Sequence, residues 1–125
     1  MSDFDSRVCA FSMPYPPSVN GMYNRSPHGV FVKEKVKQYK KEVYFTLRNK
    51  IICFEDASVF LDISIYPPDK RERDIDNILK VTFDCIQLLT IVNRDSQIQD
   101  LAVHRKFVIE KGRIDLIIHA MNHKN

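Results

Sequence analysis

The chain predicts an α+β fold in a single domain over residues 1–125: a mixed β-sheet with two main helices, in the approximate order β-α-β-α-β-β. Three observations predict it. Apolar residues alternate with polar ones in short runs, the period of a half-buried strand. They recur at helical spacing in two longer stretches. Composition agrees: with 44% hydrophobic and 28% charged side chains, 125 residues are enough for one modest core and too apolar to stay disordered.

The first strand is predicted over residues 7–13, Arg-Val-Cys-Ala-Phe-Ser-Met. It is stopped by Pro14-Tyr15-Pro16-Pro17-Ser18-Val19-Asn20, a proline-rich loop excluded from helix interiors and central strands. A second loop holds Pro27 and Gly29, and a helix follows over about 33–51. There Val36, Tyr39, Val43, Tyr44, Leu47 and Ile51 form one apolar face. In Val59–Tyr66, Leu61, Ile63 and Ile65 alternate with Asp62 and Ser64, and Pro67-Pro68 ends the strand. The second helix, about 75–90, carries a stripe of Ile75, Ile78, Leu79, Thr82, Phe83, Ile86 and Leu89, with Asp76, Asn77, Lys80 and Asp84 opposite. At the C-terminal end, Leu101, Val103, Phe107 and Ile109 alternate, Glu110-Lys111-Gly112 can turn, and Ile114, Leu116 and Ile118 alternate again. That pattern predicts a hairpin. Helices on one sheet face complete the expected architecture.

Several function classes drop out. Cys9, Cys53 and Cys85 are odd in number and widely spaced, which argues against a disulfide scaffold or structural zinc and fits a reducing compartment. His28, His104, His119 and His123 form no ligand motif. No apolar run approaches the ~20 residues that span a bilayer, and Met1–Asp5 does not read as a signal peptide. A soluble intracellular protein with no membrane partner is expected. The net charge is only +3, but between Lys33 and Lys50 seven Lys or Arg residues stand against Glu34 and Glu42. Such a local excess suits either a solvated helix face or a phosphate backbone.

The segment richest in chemistry is Arg73-Asp74-Ile75-Asp76-Asn77-Ile78-Leu79-Lys80, with Asp95 further on in Asn93-Arg94-Asp95-Ser96-Gln97. Two carboxylates two apart, beside arginines and with a lysine one helical turn later, suit metal-assisted phosphodiester chemistry. Mg²⁺ binds through a few acidic oxygens plus substrate phosphate, and a nearby lysine balances charge on that phosphate. A structural reading fits the same residues. Asp is a favoured N-cap, first-turn acids complement the helix dipole, and Asp76/Lys80 has the spacing of an i,i+4 ion pair. The intervening helix is about 24 Å long, so helix geometry alone leaves Asp95 far from Asp74. A loop folding back, or the sheet, would have to bring it in.

Three stretches in order resemble the RusA family of Holliday-junction resolvases, small endodeoxyribonucleases of bacteria and their phages. Pro14–Asn20 is similar to that family's proline-rich opening loop. Arg73–Lys80, followed by Phe83-Asp84, is similar to its Arg-Asp-x-Asp-Asn-x-x-Lys signature, and Asp95-Ser96-Gln97-Ile98 to the segment carrying its third acid. Together these cover most of residues 11–119.

The resemblance implies Asp74, Asp76 and Asp95 as catalytic metal ligands and Lys80 as the essential basic residue. It also implies a homodimer with two active sites that cuts four-way DNA junctions into religatable nicks. The cofactor expected is Mg²⁺, with Mn²⁺ as a substitute, and the location is the cytoplasm of a bacterial or phage-infected cell. Arg71, Arg73, Lys33, Lys37, Lys40 and Lys41 are the expected phosphate contacts; for Tyr15 and Tyr23 core or loop packing is the favoured role, with base stacking as the alternative. Two departures stand out. Arg94 occupies a position that is often acidic in the family, and Glu72 dilutes the basic run before the signature. The alternative is a junction-binding module without catalysis, which a metal-dependent cut would separate from the enzyme.

Overall fold

The computed structural model describes residues 4–18 and 27–121, the side chains of 27–32 excepted. The elements are β1 (Val8–Pro14), α1 (Pro27–Leu47), β2 (Val59–Tyr66), α2 (Ile75–Leu88), a short 3-10 turn (Asp95–Gln97), β3 (Ile98–Arg105) and β4 (Arg113–Ala120). They form the α+β, mixed-sheet architecture the alternation predicts. The sheet order is β1-β4-β2-β3, with β4 antiparallel to both β1 and β2, and β3 parallel to β2.

β2 takes a central slot because its inward side is wholly aliphatic: Val59, Leu61, Ile63 and Ile65 are all buried. Ile114, Leu116 and Ile118 of β4 line up beside them in register, and Met13 and Cys9 of β1 extend the same layer. Val36, Tyr39, Val43 and Leu47 of α1 cover this face together with Ile78, Val81, Cys85, Ile86 and Leu89 from α2 and its C-cap. The opposite sheet face is more polar. There Asp62 meets His104 at 3.0 Å, and Asp115 accepts hydrogen bonds from Ser12 and Arg113.

The predicted C-terminal hairpin is corrected by the topology. β3 and β4 never touch as neighbours; β2 lies between them. Segment 106–112 crosses over the end of β2, with Lys106 N–H donating to Ile65 O and Ile109 N–H to Pro67 O. The turn signal at 110–112 was real. What it could not specify is that the more apolar β2 outcompetes β3 for β4. The alternation of Phe107 and Ile109 is also not strand, since β3 ends at Arg105 and Phe107 is largely exposed.

Helix ends shifted for local reasons. α1 starts at Pro27 rather than near 33, because proline is tolerated in a first turn, where its missing N–H is not needed. α2 stops at Leu88. Thr90 there adopts φ +57°, with Thr90 N–H to Gln87 O and Ile91 N–H to Ile86 O, a Schellman closure without glycine. The buried face of α2 also takes in Val81 and Cys85, while Ile75, Leu79 and Phe83 are only partly buried.

Candidate active site

Proline stops build the walls of the site. β1 ends at Pro14 on a sheet edge, where the lost donor costs nothing. The Tyr39 hydroxyl donates to the Pro14 carbonyl and pins that end to α1. β2 ends in Pro67-Pro68, and both chains are thereby turned out of the sheet at the same end. Between them and the start of α2 lies a cleft of about 630 Å³, lined by Tyr15–Ser18, Pro68, Arg71–Asp74, Asn77, Ile78 and Lys111.

Asp69 organises the approach to α2. Its carboxylate accepts a pair of bonds from the Arg73 guanidinium at 2.7 and 3.0 Å, and others from the Arg71 side chain and backbone N–H. The Arg73 hydrogen bonds, then those of Arg71, hold the Asp69 carboxyl well below the usual carboxylate range. In return Asp69 raises the Arg73 pKa. Arg73 also lies 5.4 Å from the centroid of the Tyr15 ring, a cation–π distance, and burial pushes the Tyr15 hydroxyl up. Its backbone carbonyl accepts from Arg105 at 2.8 Å. Arg73, expected as a phosphate contact, is therefore the link between the 14–18 loop, the 69–73 loop and β3. Arg71 is far more open, with 81% of its side chain exposed.

Asp74 occupies the N-cap of α2 with extended φ/ψ of −76° and 127°, yet its side chain makes no capping bond. The structural reading of this residue thus leaves its carboxylate unexplained. Asp76 is exposed in the first turn and accepts only a local bond, from Asn77 N–H at 3.1 Å. Lys80 follows one turn later on the exposed side of α2. Asp74, Asp76 and Lys80 are brought together by the helix start.

Asp95 is not. It begins the 3-10 turn before β3, beyond the C-terminus of α2, whose 14 residues span about 21 Å. Because β3 runs parallel to β2, Asp95 sits at the opposite end of the sheet from Asp74. Among the described residues, no three His, Cys, Asp or Glu side chains cluster closely enough to hold a metal. The turn that carries Asp95 is nonetheless anchored. Buried Gln97 donates to the carbonyls of Glu55 and Ala57 and accepts from the N–H groups of Asn93 and Arg94, all at 2.7–2.9 Å. Arg94 and Asn93 contact Asp56 on the same side. Gln97 was visible in sequence only as a neighbour of Asp95; a polar residue immediately before an apolar strand gave no hint of burial.

The basic helix divides in two. Lys40 pairs with Asp84 at 2.8 Å and joins α1 to α2, which also accounts for Asp84. Lys33, Lys37 and Lys41 remain exposed. Val19, Asn20 and Tyr23 lie outside the described residues, as does His123.

Asp74 at the helix start lines an open cleft rimmed by Arg71, Arg73 and Lys111, with Asp76 and Lys80 on the first two turns of α2, and this defines the class: a site with the charges to receive a phosphodiester. Comparison with known proteins sharpens this. The family model of Endodeoxyribonuclease RusA matches residues 14–119, and the chain belongs to that family. It is 31% identical over 109 residues to the crossover junction endodeoxyribonuclease of Enterobacteria phage HK97, covering 86% of this chain and 91% of the relative. The enzyme of the same name from Escherichia coli K12 is 28% identical over 116 residues, with 92% and 97% covered. That of Enterobacteria phage 82 is 27% identical over 114 residues, with 90% and 95% covered.

Proposed function

We propose that this protein is a divalent-metal-dependent endodeoxyribonuclease that resolves four-way DNA junctions by paired nicks. It acts as a homodimer in the cytoplasm of a bacterial or phage-infected cell. The observation that carries the reading is the Asp74 carboxylate, which sits at a cap position, caps nothing, and lines the cleft. Family membership supplies the reaction class. Among the described residues, no helix is long and apolar enough to cross a membrane.

Asp74, Asp76 and Asp95 are hard oxygen donors of the kind Mg²⁺ takes while retaining waters, and Mn²⁺ suits the same set. When bound, such an ion supplies a Lewis acid and a water of lowered pKa. The side chains do the remaining work. Lys80 balances negative charge gathering on the attacked phosphate. The N-terminus of α2 adds the positive end of a helix dipole where the phosphate enters. Arg71 contacts backbone phosphate from the rim, while Arg73 keeps the two loops that frame the cleft in register.

For Asp95 to join Asp74 and Asp76, a second copy has to supply it. β3 is an edge strand, running from the Asp95 end of the sheet to Arg105, which holds the carbonyl just before Asp74. Two copies paired β3 to β3 in antiparallel fashion would place the Asp95 end of each against the Asp74 end of the other. Such a two-fold pair carries two equivalent sites, as a junction cut in two opposed strands requires, and it covers the open edge.

The test is nicking of a labelled synthetic four-way junction with Mg²⁺ or with EDTA, beside linear duplex. Paired cuts confined to the junction, abolished by EDTA and reduced at least 100-fold in Asp76→Asn, are expected. Tight junction binding with no cut under any divalent ion would leave the binding module instead.

A further inference from the structure

We propose that Lys111 is a DNA phosphate contact of this cleft, gripping the backbone beside the phosphate that Asp74 and Asp76 serve. The proposal rests on the junction-cleaving reading and extends it to a residue outside the signature.

Three observations place Lys111 there. It lines the same cleft as Asp74 and Asn77, although thirty-odd residues separate them in sequence. Its backbone is held in the left-handed region, φ +69°, a conformation that costs a lysine free energy and that the next residue, Gly112, shares at +67°. The turn is also held against the end of β2. Gly112 N–H donates to Ile109 O, Ile109 N–H donates to Pro67 O, and a Cβ on Gly112 would stand 2.9 Å from Tyr66 O and 3.0 Å from Pro68. The 109–112 turn is thus packed onto the same Pro67-Pro68 stop that forms the cleft wall.

Charge makes the case chemical. Glu72 and Asp74 line the cleft and present negative charge where a polyanion must bind. Of the cations lining the cleft, Arg71 and Arg73 are both engaged by Asp69. Lys111 is exposed and forms no ion pair or side-chain hydrogen bond with a described residue. A flexible ammonium on a fixed turn acts as a point charge that a phosphate oxygen can take without breaking an existing bond.

The test uses full-length protein carrying Asp76→Asn, so that binding is read without cutting. Lys111→Gly, Lys111→Arg and Lys35→Ala, an exposed lysine on α1 away from the cleft, are added to it. Fluorescence anisotropy with a labelled junction follows affinity from about 50 to 200 mM salt. Lys111→Gly is expected to weaken binding roughly 3–10-fold and to lower the slope of log K against log salt by about 0.9, the signature of one lost phosphate contact. It should at the same time raise the melting temperature, since glycine suits this φ. Lys111→Arg should restore the slope, and Lys35→Ala should leave it unchanged. An unchanged affinity and slope in Lys111→Gly, with a parent that binds junction well, overturns the assignment alone. A parent that binds neither junction nor duplex overturns the junction reading and this contact with it.

Discussion

At the scale of single residues, Asp69 shows how a side chain outside the catalytic set governs the site. It fixes Arg73, and through Arg73 both the Tyr15 ring and the Arg105 contact. Its carboxyl titrates below the unfolded value of about 3.9 because Arg73 and Arg71 bond to the charged form. A carboxylate with a depressed folded pKa contributes stability above its unfolded pKa, and that contribution fades as pH falls through the folded one. Asp69→Asn should therefore melt lower than wild type at pH 7, and the gap should narrow in acid below about pH 4. Calorimetry at pH 7 and about pH 3 checks it; a constant gap would mean that the clamp is not ionic. Asp74 teaches a different lesson. Its residue type and position are legible in sequence, and so is the cap location. That the side chain leaves the cap unmade is a rotamer choice that only packing around the cleft reveals.

At the scale of elements, the C-terminus of α2 is the informative case. The apolar period runs on to residue 90, and nothing in Leu88-Leu89-Thr90-Ile91 signals a stop, because the residue that turns the chain is threonine instead of glycine. Burial of Leu89, Ile91 and Val92 forces the turn. A β-branched residue in the left-handed region is held there at a cost, so Thr90→Gly should raise stability by about 1 kcal/mol. Urea denaturation measures this directly. A destabilised variant would show that the Thr90 hydroxyl, which donates to Leu89 O, matters more than the backbone strain. α1 illustrates a split that charge counting missed. Its lysines look uniform in sequence, but Lys40 is committed to Asp84 and ties the two helices together, whereas Lys33, Lys37 and Lys41 stay exposed to solvent.

At the scale of the whole molecule, the decisive fact is that Asp95 and Asp74 occupy opposite ends of one sheet. A site needing all three acids is then complete only between two chains, which a mixing experiment can decide. Asp76→Asn and Asp95→Asn proteins are each expected to be inactive. If Asp95 acts across the interface, a heterodimer carries one site in which both chains are intact and one in which both are damaged. Random exchange makes half the dimers heterodimers, so an equal mixture should recover roughly one quarter of wild-type nicking. If each site used acids of a single chain, every site would keep one damaged ligand and the mixture would stay dead. Dilution should abolish cutting by wild type at protein concentrations where the dimer dissociates.

The sequence by itself determined the element types, the strand at Val59–Tyr66 to the residue, the acid-acid-lysine spacing at the start of α2 and the family. Each of these depends on local period, proline stops or short-range spacing, which are written within a few neighbouring residues. The tertiary structure decided which strands pair, which cations are spent on internal ion pairs, and which distant residues share the cleft. Those outcomes depend on competition among non-local contacts. β4 joins β2 because β2 offers a fully aliphatic face, and Lys111 shares a cleft with Asp74 only because the crossover over β2 delivers its turn to the proline-walled end of the sheet.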